Sequence, residues 1–152
     1  MKEYEAKDIR NIVLTGPQST GKTSFSESIL FQSGIINRKG AVEDRNTTSD
    51  FTEVEQEKGF SVFSSLMYCE WKNAKVNFID TPGLDDFVGE MLASLQVGDA
   101  SVIFVNAANS VEFQTNIIFD RAKELKKPIS FLINNLDIEN IDFDKIHNDL
   151  IG

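Results

Sequence analysis

Eight consecutive residues near the start of the chain have the composition needed to bind phosphate. The segment GPQSTGKT, residues 16–23, combines two glycines with a lysine and a threonine at the spacing of a phosphate-binding loop. Glycines let backbone N–H groups approach phosphate oxygens closely, and the start of a following helix adds positive potential. Lys22 is expected to reach the β- and γ-phosphates of a nucleotide, and the Thr23 hydroxyl is expected to bind Mg²⁺. The alternative is a glycine-rich turn with an incidental lysine.

A second candidate segment is DTPG, residues 80–83, which follows the apolar run VNFI. The carboxylate of Asp80 could hold Mg²⁺ through water, and the N–H group of Gly83 could sense a γ-phosphate. Such a sequence is also a common turn, so by itself it indicates little. On the same chain as a phosphate-binding loop, it indicates a nucleotide-dependent switch.

A third segment, NNLD at residues 134–137, closes another apolar run. A paired asparagine and aspartate can recognise guanine, because the carboxylate of Asp137 would accept hydrogen bonds from the ring N–H and the exocyclic amine. Adenine presents the wrong donors and acceptors to such a pair. Alone, the segment is more typical of an ordinary turn. As the third of three ordered segments, it favours a guanine nucleotide.

The apolar pattern predicts alternating strands and helices that would place these segments at strand ends. A polar segment, residues 37–59, is predicted to be a long mobile loop with a switching role. The predicted strands are 9–15, 60–71, 75–79, 101–105 and 129–133, and the predicted helices are 22–32, 85–96, 111–125 and 143–151. This order predicts an α/β fold whose mostly parallel sheet has one antiparallel strand from a hairpin. With the phosphate-binding loop after the first strand, the arrangement resembles a P-loop NTPase three-layer sandwich.

Composition limits the class of protein. The 152 residues suit one domain, and a hydrophobic content of 41% is that of a globular protein. A net charge of −9 argues against a broad basic surface for nucleic acid. The single cysteine, Cys69, excludes an internal disulfide. No secretory signal is visible, and the longest apolar run, residues 100–108, is far short of the roughly 20 residues of a membrane helix. We therefore expect no membrane association and a cytoplasmic protein.

The order and spacing of these segments resemble the GTP-binding domain of translation factors, most closely elongation factor G. The resemblance covers residues 10–137 and includes GKTSFSESILFQSG, EVEQEKGFSV and DTPGLDDFVGEMLASLQVGDASVIFVNAANSVEFQT. It implies that residues 1–152 are a GTP-binding domain truncated at its C-terminus, that GTP or GDP binds with Mg²⁺, and that the ribosome is a partner.

The resemblance also implies which residues bind each group. The stretch KGFSV, residues 58–62, matches a first switch that usually reads RGITI, with Ser61 in place of a metal-binding threonine. The implied nucleotide-binding residues are Gly16, Ser19, Thr20, Gly21, Lys22, Thr23, Ser24, Gly83, Asn134 and Asp137. The implied metal-binding residues are Thr23, Ser61 and Asp80.

Three departures from the family pattern bear on activity. Ser19 replaces an aspartate near the phosphates, and Asn135 replaces a lysine that packs along the base. Leu84 stands where the family has a histidine that positions the attacking water, and leucine has no hydrogen-bonding group. Losing such a group typically lowers a rate by about 10²–10⁴-fold. Gln18 and Phe60 flank this position, where the family has apolar residues. We therefore assign no catalytic residue, and we predict that hydrolysis is slow or absent.

Several functions remain open from the sequence alone. The first is an elongation factor G-like domain acting in translocation, with GTP as a bound effector. The second is an active GTPase whose water is positioned by the ribosome or by an unusual residue. A ribosomal protection or peptide-release GTPase shares these motifs, and a degenerate ribosome-interaction module with weak nucleotide binding is a non-enzymatic alternative. The single histidine, His147, is expected to be exposed and to have no catalytic role.

Overall fold

The computed structural model describes residues 2–49 and 52–151, and within them five strands form one sheet. The strands lie in the order β2-β3-β1-β4-β5. Strand β1 is parallel to β3 and β4, β4 is parallel to β5, and only β2 is antiparallel to its neighbour β3. The strands are β1 (Ile9–Thr15), β2 (Ser65–Trp71), β3 (Ala74–Asp80), β4 (Ala100–Asn106) and β5 (Ile129–Asn134). The predicted mostly parallel α/β sheet is confirmed.

Helices cover both faces of this sheet. They are α1 (Lys22–Gln32), α2 (Glu53–Lys58), α3 (Val88–Val97), α4 (Phe113–Glu124) and α5 (Phe143–Ile151), with 3₁₀ turns at Ala6–Asp8 and Asp85–Phe87. Successive strand residues point to opposite faces, so Leu14 packs on the side of α1 while Val13 packs with α3 and α4. Helix α5 packs through Ile146 against Val105. The result is the predicted three-layer sandwich.

The central strands give the phosphate-binding segment a rigid support. Leu14, Ile103 and Phe104 have no exposed surface. Burying each such side chain contributes about 1.5–3 kcal/mol relative to leaving it in water. Because β1, β3, β4 and β5 are parallel, their carboxyl ends meet at one edge of the sheet. The strand order reverses at β1, which is where open α/β sheets form a ligand crevice.

The prediction of an uninterrupted loop over residues 37–59 was wrong, because α2 lies within it. The helix begins with a capping box, in which the side chain of Thr52 accepts from the N–H of Glu55 and the Glu55 carboxylate accepts from the N–H of Thr52. It ends at Gly59, whose φ of +73° suits glycine. The helix was not predicted because its exposed face is polar and gives no apolar pattern, although the T-x-x-E pattern of a capping box is present in the sequence.

The first hairpin strand begins at Ser65 and not at residue 60 as predicted. The N–H groups just before it are taken by side chains: Val62 and Phe63 donate to Glu55, and Ser64 donates to Glu90. These residues are therefore not available to a strand ladder. The other predicted elements agree with the structure within three residues at each end.

Candidate nucleotide-binding site

A cleft of about 390 Å³ lies at the carboxyl edge of the sheet. Four segments distant in sequence contribute to it. Its lining residues are Gln18, Ser19, Gly21, Lys22, Thr23 and Ser24 from the phosphate loop and α1, Val42, Glu43, Gly59, Phe60 and Ser61 from the segment before β2, Thr81, Gly83 and Leu84 after β3, and Asn134 and Asn135 at the end of β5. All three segments singled out in the sequence therefore reach one cleft.

The phosphate loop has a conformation and packing that require glycine at two positions. Gly16 has a φ of +139°, and a Cβ there would lie 2.5 Å from the carbonyl oxygen of Phe104. Gly21 has a φ of +90°, and a Cβ there would lie 2.2 Å from the Nδ2 atom of Asn134. Within the loop, the buried Thr20 hydroxyl donates to the Pro17 carbonyl at 2.8 Å. The backbone is thus folded tightly at the start of α1.

Lys22 lies inside this loop. Its ammonium donates to the carbonyl oxygens of Gly16 and Pro17, each at 2.7 Å. Burial lowers the pKa of Lys22 from 10.5 to about 8, and the nearby Asp80 carboxylate offsets part of this shift. A buried ammonium facing a cleft is suited to an anionic ligand, because a phosphate supplies the charge that the protein interior lacks.

The residues predicted to bind metal offer oxygen ligands. The Thr23 hydroxyl donates to the Asp80 carboxylate at 3.1 Å, which joins α1 to the end of β3, and Ser61 lines the same cleft as Thr23. Among the described residues, no group of three or more His, Cys, Asp or Glu side chains could hold a metal ion. Two hydroxyls and one carboxylate fit Mg²⁺, which typically takes few protein ligands and completes its shell with water and phosphate oxygens.

The turn after β3 packs directly on the phosphate loop. Thr81 donates to the Leu14 carbonyl from its backbone N–H at 3.1 Å and from its hydroxyl at 2.9 Å. A Cβ on Gly83 would lie 2.7 Å from both the Gln18 backbone nitrogen and the Lys22 ammonium. Leu84 follows and lines the cleft, so an apolar side chain stands next to the predicted γ-phosphate sensor.

The end of β5 is only partly gathered into the cleft. Asn134 donates from its side chain to the Thr20 carbonyl at 3.0 Å, and Asn135 adopts a left-handed conformation with a φ of +61°. Both line the cleft, whereas Asp137 is exposed and does not. The base-reading role of Asp137 stays a prediction. His147 is exposed on α5 and stacks on Phe143, with ring centroids 6.4 Å apart.

Sequence reasoning missed part of the cleft wall. Val42 and Glu43 line the cleft, yet no spacing or residue pattern distinguishes them within their polar surroundings. Two buried carboxylates, Glu27 and Glu55, also went unnoticed as contacts of this wall. Glu55 could have been found from its capping box, whereas Glu27 is an isolated charge on α1 whose partners lie far along the chain.

The sequence model of the family described as the elongation factor Tu GTP binding domain matches residues 7–151. The tetracycline resistance protein TetM from transposon Tn1545 of Enterococcus faecalis is 36% identical over 142 residues, 93% of this chain and 22% of the relative. The tetracycline resistance protein TetP of Clostridium perfringens is 36% identical over 144 residues, 95% of this chain and 22% of the relative. A crystal structure of a protein from Thermus thermophilus superposes with a TM-score of 0.89 at 30% identity, over 93% of this chain and 21% of that one. This chain therefore spans 22% of the length of both curated relatives.

No helix within residues 2–49 and 52–151 has the length and apolar content to cross a membrane.

Proposed function

The chain belongs to the family of elongation factor Tu GTP-binding domains, and from this premise we propose that it binds GTP with Mg²⁺ as the switch domain of a ribosome-acting translational GTPase and hydrolyses GTP slowly or not at all. In this proposal the protein acts in the cytoplasm, and GTP serves mainly as a bound effector. The conformational signal would depend on the γ-phosphate, through Ser61, Gly83 and the metal ion.

One observation supports the proposal: the cleft contains groups suited to binding phosphate and metal, but an apolar side chain at the position expected to place the attacking water. Lys22 and Thr23 have the surroundings that phosphate and metal binding need. Leu84 lines the same cleft and offers no donor or acceptor for an attacking water. Bound Mg²⁺ would neutralise charge on the phosphates, and the chain itself would supply positioning by the loop backbone and Lys22.

Nucleotide titration tests the binding half of the proposal. We expect GTP and GDP to bind in the presence of Mg²⁺ and to compete with each other, and ATP to compete poorly. Isothermal calorimetry or a labelled nucleotide gives the affinities, with the chelator EDTA as the control for metal dependence. Absence of binding at millimolar nucleotide would contradict the proposal and favour a degenerate interaction module.

A ribosomal protection role is the second candidate, and the names of the relatives favour it over translocation. TetM and TetP are both described as tetracycline resistance proteins. The two roles are separated by expressing the whole protein that contains this chain in a tetracycline-sensitive strain. Increased tolerance supports protection. Unchanged tolerance, together with rescue of a strain depleted of its own elongation factor G, supports translocation.

A further inference from the structure

One wall of the cleft comes from the chain between α1 and β2, and buried carboxylates contact the described parts of this segment, residues 33–49 and 52–64, at two places. Residues 42–43 and 59–61 of the segment line the cleft. Glu27 on α1 and Glu55 on α2 have 1% and 0% of their surface exposed. No lysine or arginine among the described residues forms an ion pair with either carboxylate. Their partners are backbone N–H groups and, for Glu55, also the Thr52 hydroxyl.

Glu27 holds the first part of the wall. One carboxylate oxygen accepts from the N–H of Gly40 at 2.9 Å, and the other accepts from the N–H of Thr48. These two residues bracket Val42 and Glu43, which line the cleft. Because Glu27 belongs to the helix that begins at Lys22, the position of this part of the wall is tied to the phosphate loop.

Glu55 holds the second part of the wall. Its Oε1 atom accepts from the N–H groups of Val62 and Phe63 at 3.0 and 3.1 Å, and its Oε2 atom accepts from the Thr52 hydroxyl at 2.7 Å. The residue just before Val62 is Ser61, the predicted metal ligand. Burial acts to raise the pKa of Glu55, but these hydrogen bonds outweigh burial and hold that pKa below its usual range.

We propose that Glu27, which ties residues 40–48 to α1, and Glu55, which ties residues 62–63 to α2, are positioning residues that keep this wall of the cleft in place and thereby slow the release of bound nucleotide. This inference rests on the proposed nucleotide binding. It adds that contacts within the protein help to retain the bound nucleotide. A buried carboxylate that accepts several N–H bonds is a strong anchor, because opening the wall leaves its charge without those partners. These contacts stabilise the wall in addition to the contacts that the γ-phosphate and metal ion would make through Ser61.

Glutamine variants test the proposal. Glu27→Gln and Glu55→Gln keep the size of each side chain but replace an acceptor oxygen with an N–H donor that faces other donors. After loading with fluorescent GDP and Mg²⁺, chase with unlabelled GDP should show release about tenfold faster or more, the loss expected for a charge-assisted hydrogen bond. The control is Glu57→Gln, an exposed glutamate of α2, which should release GDP at the wild-type rate.

Amide hydrogen exchange separates positioning from general destabilisation. Amides within residues 40–48 should exchange faster in Glu27→Gln, and amides within residues 60–63 should exchange faster in Glu55→Gln. The amides of β4 (Ala100–Asn106) should keep their protection in both variants. If Glu27→Gln does not fold, Gly40→Ala approaches the same contact from the other side, since its Cβ would lie 2.9 Å from the Glu27 Oε2 atom and 2.5 Å from the Asn46 carbonyl oxygen. Wild-type GDP binding with unchanged release in the variants overturns this inference alone. Failure of the wild type to bind GDP overturns the proposed function and this inference with it.

Discussion

Single residues in the cleft divide into those that the backbone conformation requires and those that chemistry requires. Gly16 and Gly21 are required by positive φ angles and by contacts that leave no room for a Cβ atom. In the proposed function, Lys22 and Thr23 are required by the phosphate and the metal ion that they would bind. Leu84 belongs to neither group: it is half-buried in the cleft wall, and its side chain has no hydrogen-bonding atom.

Replacing Gly21 by alanine should disturb the site for two reasons, the strain of a positive φ angle and a steric clash. A left-handed φ costs a non-glycine residue about 1–2 kcal/mol. Gly34→Ala is the matched control, because Gly34 has a φ of +75° and no atom within 4 Å of its Cβ position. Gly21→Ala adds the contact with the Asn134 side chain at 2.2 Å. We expect GDP affinity to fall at least tenfold for Gly21→Ala, with little change for Gly34→Ala. Equal affinities in a titration would contradict this assignment.

At the scale of elements, the sequence predicts the helices and strands that contain an apolar run or apolar residues at a regular spacing. Strands β1 and β5 were found as short apolar runs, and helices α1, α4 and α5 were found from apolar residues at helical spacing in the sequence. Helix α2 was missed because its described buried residue is Glu55, a charge that the apolar pattern cannot count. The start of β2 was placed too early for a related reason. Carboxylates from α2 and α3 accept from the N–H groups of residues 62–64, and such contacts leave no local signal in the sequence.

The hydrogen bonds between the Glu55 carboxylate of α2 and the N–H groups of residues 62–63 should weaken in acid. The pKa of Glu55 lies below its ordinary value of 4.5 in the folded chain, so this carboxylate stabilises the fold fully above about pH 4.5. The stabilisation is lost as the pH falls through the lowered value. We expect the difference in unfolding free energy between wild type and Glu55→Gln to be constant near neutral pH and to shrink below pH 4.5. Urea titrations at several pH values measure it.

The exposed Glu57 provides the control for this pH dependence. Glu57→Gln should change the unfolding free energy little, because the Glu57 side chain is exposed and the hydrogen bonds of Glu55 stay in place. A Glu55→Gln difference that stays constant down to pH 3 would contradict the assignment of Glu55 as the titrating group.

For the whole molecule, the sheet explains how distant segments form one site. Parallel pairing places the ends of β1, β3 and β5 at the same edge, and the reversal of strand order at β1 opens the crevice between them. The phosphate and switch segments could thus be predicted to meet from sequence order alone. The position of Asp137 outside the cleft could not, because it depends on the conformation of the turn that begins at Asn135.

Under the proposed function, this domain binds GTP but lacks a group that positions the attacking water. The decisive measurement of this claim is single-turnover hydrolysis of bound GTP, with and without ribosomes, in the wild type, Leu84→His and the apolar control Leu84→Met. We predict slow turnover for the wild type and Leu84→Met, and a rate about 10²-fold higher or more for Leu84→His. Equal rates for the wild type and Leu84→His, with GTP bound to both, would contradict the claim.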